Sequence, residues 1–155
     1  MYALDTNILV YAHNKDSMLN ERASTFVERV MNERDENGKL SICIPSQVIA
    51  EFLNVITRQN LPHPIELEEA ISIVRDYLKT GVMVIHQKSS QISTLLDLLG
   101  KTKTRKKVFD VVLAATLKDN DISGLYTVNI KDFEEFDFLD VQNPLNSDQQ
   151  STQKK

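Results

Sequence analysis

Short apolar segments alternate with amphipathic helical segments along this 155-residue chain, and the alternation limits the folds that the chain can adopt. Parallel strands need a crossover connection, which is usually a helix, so the pattern predicts an α/β fold with a mostly parallel sheet and helices on both faces. The predicted strands cover 2–4, 41–44, 82–85, 125–127 and 138–141, and the predicted helices cover 21–34, 45–58, 65–78, 89–99 and 108–120.

Composition and length indicate one globular domain. The chain is 41% hydrophobic and 26% charged, and from residue 142 onward it becomes polar and aperiodic. We therefore expect a domain over residues 1–141 and a polar, disordered tail over 142–155. The formal net charge of −4 argues against a surface that binds polyanions everywhere, but it leaves room for a local basic strip.

The location of the protein is predicted from what its sequence contains. No apolar segment approaches the roughly 18–20 residues of a membrane span, and no basic segment of the signal-peptide type precedes the first strand. The single cysteine, Cys43, lies within an apolar strand and has no partner for an internal disulfide. We therefore expect a cytoplasmic protein that does not associate with membranes.

Three acidic residues occupy apolar surroundings, where a surface acid is not expected. Asp5 stands between two apolar segments, Glu51 lies at the border of the apolar face of its helix, and Asp110 is the only charged residue between Val108 and Leu117. An unpaired charge is costly to bury. Such acids need a compensating interaction.

Each acid also has a simpler explanation when it is taken alone. Asp5 can cap the helix that follows it, Glu51 can be a solvated boundary residue, and Asp110 can cap its helix or pair with a nearby lysine. Asp132, near the end of the chain, can also be a helix-capping residue. These explanations do not account for several such acids along one edge of one sheet.

Carboxylates at one sheet edge predict a divalent-metal site. Ligands of parallel α/β folds collect at the carboxyl ends of the strands, where Asp5 follows the first strand and Thr127 ends the fourth. Converging carboxylates repel one another unless a cation is present, and their hard oxygen atoms suit Mg²⁺ or Mn²⁺. The three scattered histidines and the lack of a CxxC spacing do not favour zinc. Acidic sites of this type can hydrolyse phosphodiester bonds.

Four segments, LDTNIL, IAEFLNVI, VFDVVLAAT and LYTVNIKDF, occur in the order of the motifs of PIN-domain proteins. The chain resembles a small VapC-like member of that family from Met1 to about Val141. The resemblance implies a PIN-like three-layer α/β/α sandwich and a Mg²⁺- or Mn²⁺-dependent endoribonuclease that cleaves RNA. It also implies the toxin half of a type II toxin–antitoxin pair, with a cognate antitoxin as partner and a homodimer as the assembly.

The resemblance also implies roles for single residues. Asp5, Glu51 and Asp110 match the acidic catalytic and metal-binding positions, and Thr6 matches the small hydroxyl residue that supports them. In the last motif, an acid or Asn usually comes first, and a second acid or His follows just before Phe. These positions are Asn129 and Asp132, so Asp132 is the expected fourth catalytic and metal ligand, with Asn129 and Thr127 in supporting positions. Because Asn129 is not a carboxylate, the case for a strongly held second metal is weaker.

The segment KTKTRKK contains five basic residues and directly precedes the helix of Asp110. It is either a solvated loop or a positive edge that holds an RNA backbone. No aromatic RNA-binding motif is present, so base stacking is not expected. The candidate backbone contacts are Lys101, Lys103, Arg105, Lys106 and Lys107.

Two other functions are compatible with parts of this pattern. A phosphohydrolase with Asp5 as a covalent nucleophile would carry a second Asp two residues later, where this chain has Asn7. A catalytically inactive PIN-like module would bind RNA or protein without cleavage, and the uncertain fourth ligand favours that alternative. The joint presence of Asp5, Glu51 and Asp110 argues against it.

Overall fold

The structure is a computed structural model, and it describes residues 1–103 and 107–146. Five strands form one sheet in the order β3-β2-β1-β4-β5, and every neighbouring pair is parallel. The predicted α/β class is confirmed, with a sheet that is entirely rather than mostly parallel. The strands are β1 (Tyr2–Leu4), β2 (Ile42–Pro45), β3 (Met83–Ile85), β4 (Gly124–Tyr126) and β5 (Asp140–Gln142).

Helices flank this sheet, and five of them match the predicted helices with ends displaced by at most two residues. Two helices were not predicted. The residues of α1 after its first turn are apolar without helical periodicity, and α7 is a single turn. The described helices are α1 (Thr6–His13), α2 (Asn20–Asn32), α3 (Ser46–Ile56), α4 (Leu67–Lys79), α5 (Gln91–Lys101), α6 (Val108–Asp119) and α7 (Ile130–Phe133).

The core lies between the sheet and the helices that cover it. Ala3 and Leu4 of β1 are fully buried, as is Phe52 of α3. The α6 helix buries most of its apolar side chains from Val111 onward, whereas Val108 and Phe109 at its start are exposed. This burial holds α3 and α6 firmly, and these two helices carry Glu51 and Asp110.

The order of the strands creates a crevice at one edge of the sheet. From β1 the chain adds β2 and then β3 on one side, and it then returns to place β4 on the other side of β1. In open α/β sheets, ligands bind outside the carboxyl ends of the strands where the order reverses in this way. Asp5 and Thr127 directly follow the two strands that flank this reversal.

The end of the chain is described as far as residue 146. Within the predicted tail, Gln142 belongs to β5 and Leu145 is buried, while residues 147–155 lie outside the described residues. The domain boundary at 141 stays a prediction. In the described part of the chain, no helix has the length and apolar character needed to cross a membrane.

Candidate active site

Asp5 is buried at the junction of β1 and α1, with 8% of its surface exposed. Its Oδ1 accepts a 2.7 Å hydrogen bond from the backbone N–H of Thr6, so Asp5 does cap α1. Its Oδ2 accepts from the hydroxyl of Thr127 at 2.6 Å and from the side-chain amide of Asn7 at 3.0 Å. The carboxylate of Asp5 therefore both caps α1 and lies at the edge of the sheet.

The pKa of Asp5 is raised, chiefly because burial disfavours its charged form. The hydrogen bonds from Thr127, Thr6 and Asn7 oppose this shift, and the negative charge of Glu51 adds to it. The protein therefore orients a carboxylate that would gain from a nearby cation.

Glu51 is held in place from both of its oxygen atoms. The hydroxyl of Thr6 donates to Oε2 at 2.8 Å, and the side-chain amide of Gln47 donates to Oε1 at 2.9 Å. The same amide donates to the backbone carbonyl of Phe109 at 3.2 Å, which connects α3 to the start of α6. Thr6 thus bonds to Asp5 through its backbone and to Glu51 through its side chain.

Asp110 lies in the first turn of α6, and its pKa is raised to about 6. Burial is the largest cause, followed by the negative charges of Asp132, Asp5 and, more weakly, Glu51, while Lys107 opposes the shift. Its Oδ2 is buried and has no hydrogen-bond partner in the described part of the chain. A buried polar atom of this kind costs free energy unless a ligand satisfies it.

One cavity of about 300 Å³ brings the three predicted acids together. Asp5 comes to it from the end of β1, Glu51 from α3 and Asp110 from α6. Asp132 is not part of its wall, although it lies close enough to raise the pKa of Asp110. The remaining lining residues are Thr6, Asn7, Val10, Tyr11, Val55 and Asn129.

The PIN domain family model matches residues 2–139. The chain belongs to the PIN domain family. The resemblance that the sequence motifs indicated is confirmed. Ribonuclease VapC24 of Mycobacterium tuberculosis (strain CDC 1551 / Oshkosh) is 25% identical to this PIN domain over 150 residues, which are 96% of this chain and 99% of that protein.

Solved structures show the same fold at lower sequence identity. VapC20 of Mycobacterium tuberculosis, described as a sarcin-ricin loop cleaving toxin, has a TM-score of 0.62 at 14% identity and covers 89% of this chain and 92% of its own. A toxin–antitoxin complex from Klebsiella pneumoniae has a TM-score of 0.62 at 19% identity and covers 93% and 98% of the two chains. At these sequence identities, the similarity shows that the folds are alike and shows nothing further about this PIN domain.

The last sequence motif contributes a backbone contact to the site. The N–H of Asn129 donates to the Thr127 hydroxyl at 3.0 Å, and that hydroxyl in turn donates to Asp5. Asn129 lines the carboxylate cavity, whereas Asp132 lies in α7 with its backbone N–H bonded to the carbonyl of Asn129. The motif therefore places Asn129 in the wall of the cavity and Asp132 outside it.

The described lysines of the basic strip do not line one common cavity of the PIN domain. Lys107 precedes α6 and acts on Asp110, whereas Lys101 and Lys103 line a different cavity of about 410 Å³ that shares no lining residue with the first. Arg105 and Lys106 lie outside the described residues. Lys107 is therefore the described residue of the strip with an identified effect on one of the acids, Asp110.

Two polar residues of the site were missed by sequence reasoning. Asn7 donates to Asp5, and Gln47 donates to Glu51. Gln47 precedes Glu51 by four positions, a spacing that places both side chains on one helical face, so this pair had a signal in the sequence. For Asn7, the only signal in the sequence was its position two residues after Asp5.

The residues of the cavity fit a hard divalent cation by their chemistry. Across residues 1–103 and 107–146, no group of three or more His, Cys, Asp or Glu side chains is arranged as a metal site. Mg²⁺ keeps several of its waters and usually takes only one or two carboxylates directly, so a preformed cage is not required. The buried, unpartnered Oδ2 of Asp110 is a free acceptor for such an ion or one of its waters.

Proposed function

We propose that this PIN domain is a divalent-metal-dependent endoribonuclease and the toxin of a type II toxin–antitoxin system, active in the cytoplasm. One observation carries the proposal: Asp5, Glu51 and Asp110, from three separate elements, line one cavity at the carboxyl edge of the sheet. The similarity to ribonuclease VapC24 supports RNA as the substrate class.

In this proposal Asp5, Glu51 and Asp110, together with Asp132, hold Mg²⁺ or Mn²⁺. A divalent ion held there supplies Lewis-acid stabilisation of the phosphate and of the leaving oxygen. The carboxylates that would hold the ion are already oriented, because Thr6, Asn7, Thr127 and Gln47 donate hydrogen bonds to Asp5 and Glu51. Such fixed positions reduce the reorganisation needed during the reaction.

The chain must also attract a polyanion to an acidic cavity. Lys107 is the described basic residue whose charge acts on Asp110, and we assign it a contact with the RNA backbone. We propose the same role for the other cations of the strip, although Lys101 and Lys103 line another cavity and would contact a more distant part of the strand. The remaining members are Arg105 and Lys106.

A protein partner follows from the proposed activity. A ribonuclease without control would damage the RNA of its own cell, so we propose a cognate antitoxin as its inhibitor and a homodimer as its assembly. The fold is shared with a toxin–antitoxin complex from Klebsiella pneumoniae, which supports this class of partner. Ile92 and Leu96 of α5 are exposed one helical turn apart and offer apolar surface for a protein contact.

The test is cleavage of a generic single-stranded RNA by the purified chain. We expect cleavage with Mg²⁺ or Mn²⁺, loss of cleavage in excess chelator, and loss in Asp5→Asn and in Asp110→Asn. Asp97→Asn, which changes an exposed acid of α5, is the matched control and should cleave normally.

Two results would contradict the proposal in different ways. Full activity in excess chelator would rule out the metal-dependent mechanism. RNA binding without cleavage under any divalent metal would instead favour the catalytically inactive PIN-like module.

A further inference from the structure

We propose that a second cavity, which shares Glu51 with the cavity of the acids, binds one base of the RNA substrate, with Phe109 as the stacking surface and Gln47 as a hydrogen-bond acceptor. This inference rests on the proposed ribonuclease function and adds a nucleotide subsite to it. The cavity has a volume of about 480 Å³, and its lining includes Ser46, Gln47, Glu51, Gln87 and Phe109. Small-molecule sites in proteins span about 300–1,000 Å³, so one base with its sugar is of suitable size.

The orientation of Gln47 leaves an acceptor without a donor. Its Nε2 lies 2.9 Å from Oε1 of Glu51 and 3.2 Å from the carbonyl of Phe109, and both partners are acceptors. The amide nitrogen must face them, so Oε1 must point away. That Oε1 is buried and has no hydrogen-bond partner in the described part of the chain. An N–H group from a ligand would satisfy it.

Phe109 presents an aromatic ring to solvent beside this acceptor. Its surface is 73% exposed, although it lies next to Asp110 in the first turn of α6, a helix whose residues from Val111 to Leu117 are mostly buried. Bases of single-stranded RNA stack on such rings and offer their Watson–Crick edges to neighbouring side chains. All four bases carry an N–H donor on that edge, so Gln47 Oε1 has a matching group in each.

Glu51 connects the proposed base-binding cavity to the cavity in which RNA cleavage is proposed. Glu51 lines both cavities, so a nucleotide whose base occupies the second cavity has an adjacent phosphate near Asp5 and Asp110. The subsite would therefore select and orient the nucleotide next to the cleaved bond. This proposal replaces the expectation from sequence that base stacking plays no part.

The chain contains no Trp, so Phe109→Trp makes a single-tryptophan reporter at the proposed stacking surface. We would prepare it in the Asp5→Asn background to prevent cleavage, and titrate it with single-stranded RNA decamers. Met18→Trp in the same background, at a fully exposed position beyond the end of α1, is the matched control. Base stacking should reduce the emission of the Phe109→Trp protein about twofold or more and leave the control unchanged.

Decamers with one abasic nucleotide at each position in turn identify the stacked base. We expect the quenching to disappear when the abasic position occupies the subsite, and to persist for the other positions. In the Asp5→Asn background, Phe109→Ala should weaken RNA binding, measured by fluorescence anisotropy, by about tenfold, while Phe109→Tyr should bind like the parent protein.

Three results would overturn the proposal. The first is RNA binding by anisotropy without base-dependent quenching. The second is a Phe109→Ala protein that binds RNA normally but sediments as a monomer where the parent is a dimer, which would assign Phe109 to an interface with a second copy. The third is a wild-type protein that binds no RNA, which would remove the proposed function as well. Cleavage by the wild-type protein together with either of the first two results would remove only the subsite.

Discussion

The hydroxyl of Thr127 donates a 2.6 Å hydrogen bond to Oδ2 of Asp5, although the two residues are 122 positions apart. The contact follows from the pairing of β1 with β4, in which Leu4 lies opposite Tyr126 and the backbone N–H of Asp5 bonds to the carbonyl of Tyr126. The position of the Asp5 carboxylate therefore depends on a strand pair at the centre of the sheet.

Thr127→Val should impair cleavage by about tenfold or more, because the substitution keeps the shape of the side chain but removes the hydroxyl that orients Asp5. The loss of this buried hydrogen bond should also destabilise the protein by about 1–3 kcal/mol. Since the Thr127 hydrogen bond lowers the pKa of Asp5, its removal should move the acid limb of the pH–rate profile to higher pH. Thr127→Ser retains the hydroxyl and is the control. An unchanged rate and pH profile in Thr127→Val would show that this contact has no role.

Asp110 should make the metal-free protein less stable as pH rises. Its pKa is raised from 3.8 to about 6 in the folded protein, so between these values the folded state binds more protons than the unfolded state. Its contribution to stability is therefore full below about pH 4 and is lost as pH rises through about 6. Asp110→Asn should remove this loss and raise the free energy of unfolding at pH 7 by about 1–2 kcal/mol, less than the full shift implies because solvent partly screens the group.

Urea denaturation in chelator at several pH values measures this effect. The difference between the wild type and Asp110→Asn should grow from about pH 4 to pH 7, whereas Asp97→Asn should follow the wild type at every pH. If the stability difference between the two proteins does not change with pH, the pKa of Asp110 is not raised in the folded protein.

Binding of a divalent metal to the carboxylates of Asp5, Glu51 and Asp110 should stabilise the folded chain. An ion that binds only the folded state adds about 2.7 kcal/mol at a hundredfold excess over its Kd, so Mn²⁺ and Mg²⁺ should raise Tm in a concentration-dependent way. Glu51→Gln should reduce this rise, because it removes one charge while a side chain of the same size remains. Isothermal titration of Mn²⁺ into both proteins checks the result independently of activity. Equal Mn²⁺ affinity in both would exclude Glu51 as a ligand.

The three acids that line the cavity of the candidate site could be selected from the sequence, because each lies within or beside an apolar pattern. Asp5 follows a buried strand, and Asp110 is the lone charge on an apolar helical segment, so local sequence revealed both. The position of α3 relative to α6 was not predictable. The hydrogen bond from Gln47 to the Phe109 carbonyl, which connects the two helices, joins residues 62 positions apart. Contacts of this kind depend on the rotation of one helix against another, which spacing along the chain does not determine.

The basic strip shows the same limit in another form. Its residues are adjacent in sequence, and charge alone suggested one surface. In the structure, α5 ends at Lys101 and α6 begins at Val108. Lys101 and Lys103 line the cavity of about 410 Å³, whereas Lys107 lines neither this cavity nor that of the acids and acts on Asp110 through its charge. A change of element inside a charged segment separates side chains that composition treats as one group.

Lys107→Gln should weaken RNA binding similarly for all sequences, because a phosphate contact carries no base information. The slope of log affinity against log salt should become shallower by about 0.7, the value for one contact with a single strand. The measurement is fluorescence anisotropy with an RNA decamer, in the Asp5→Asn background, at several salt concentrations. Lys15→Gln, at an exposed lysine beyond the end of α1, is the control and should leave the slope unchanged. A wild-type slope in Lys107→Gln would remove this residue from the RNA path.

Gly124→Ala should destabilise the fold without touching the cavity. An added Cβ at this position of β4 would lie 2.5 Å from Cδ1 of Tyr2. The Tyr2 ring cannot easily move aside, because it stacks on Tyr126 with ring centroids 4.4 Å apart and its hydroxyl bonds to Asp140 and Gln142. Overpacking of this kind costs about 1–3 kcal/mol, which urea denaturation can measure.

The control for this substitution removes the obstructing ring. Tyr2→Ala alone should also destabilise the protein, through loss of the stacking and of the hydroxyl contacts to β5. If the clash with Tyr2 causes the effect of Gly124→Ala, the double variant should be more stable than the sum of the single effects by about 0.5–3 kcal/mol, as expected for residues in contact. If the destabilisations of the two single variants simply add in the double variant, the cost of Gly124→Ala arises from the backbone of β4. In that case the clash with Tyr2 does not require glycine at this position.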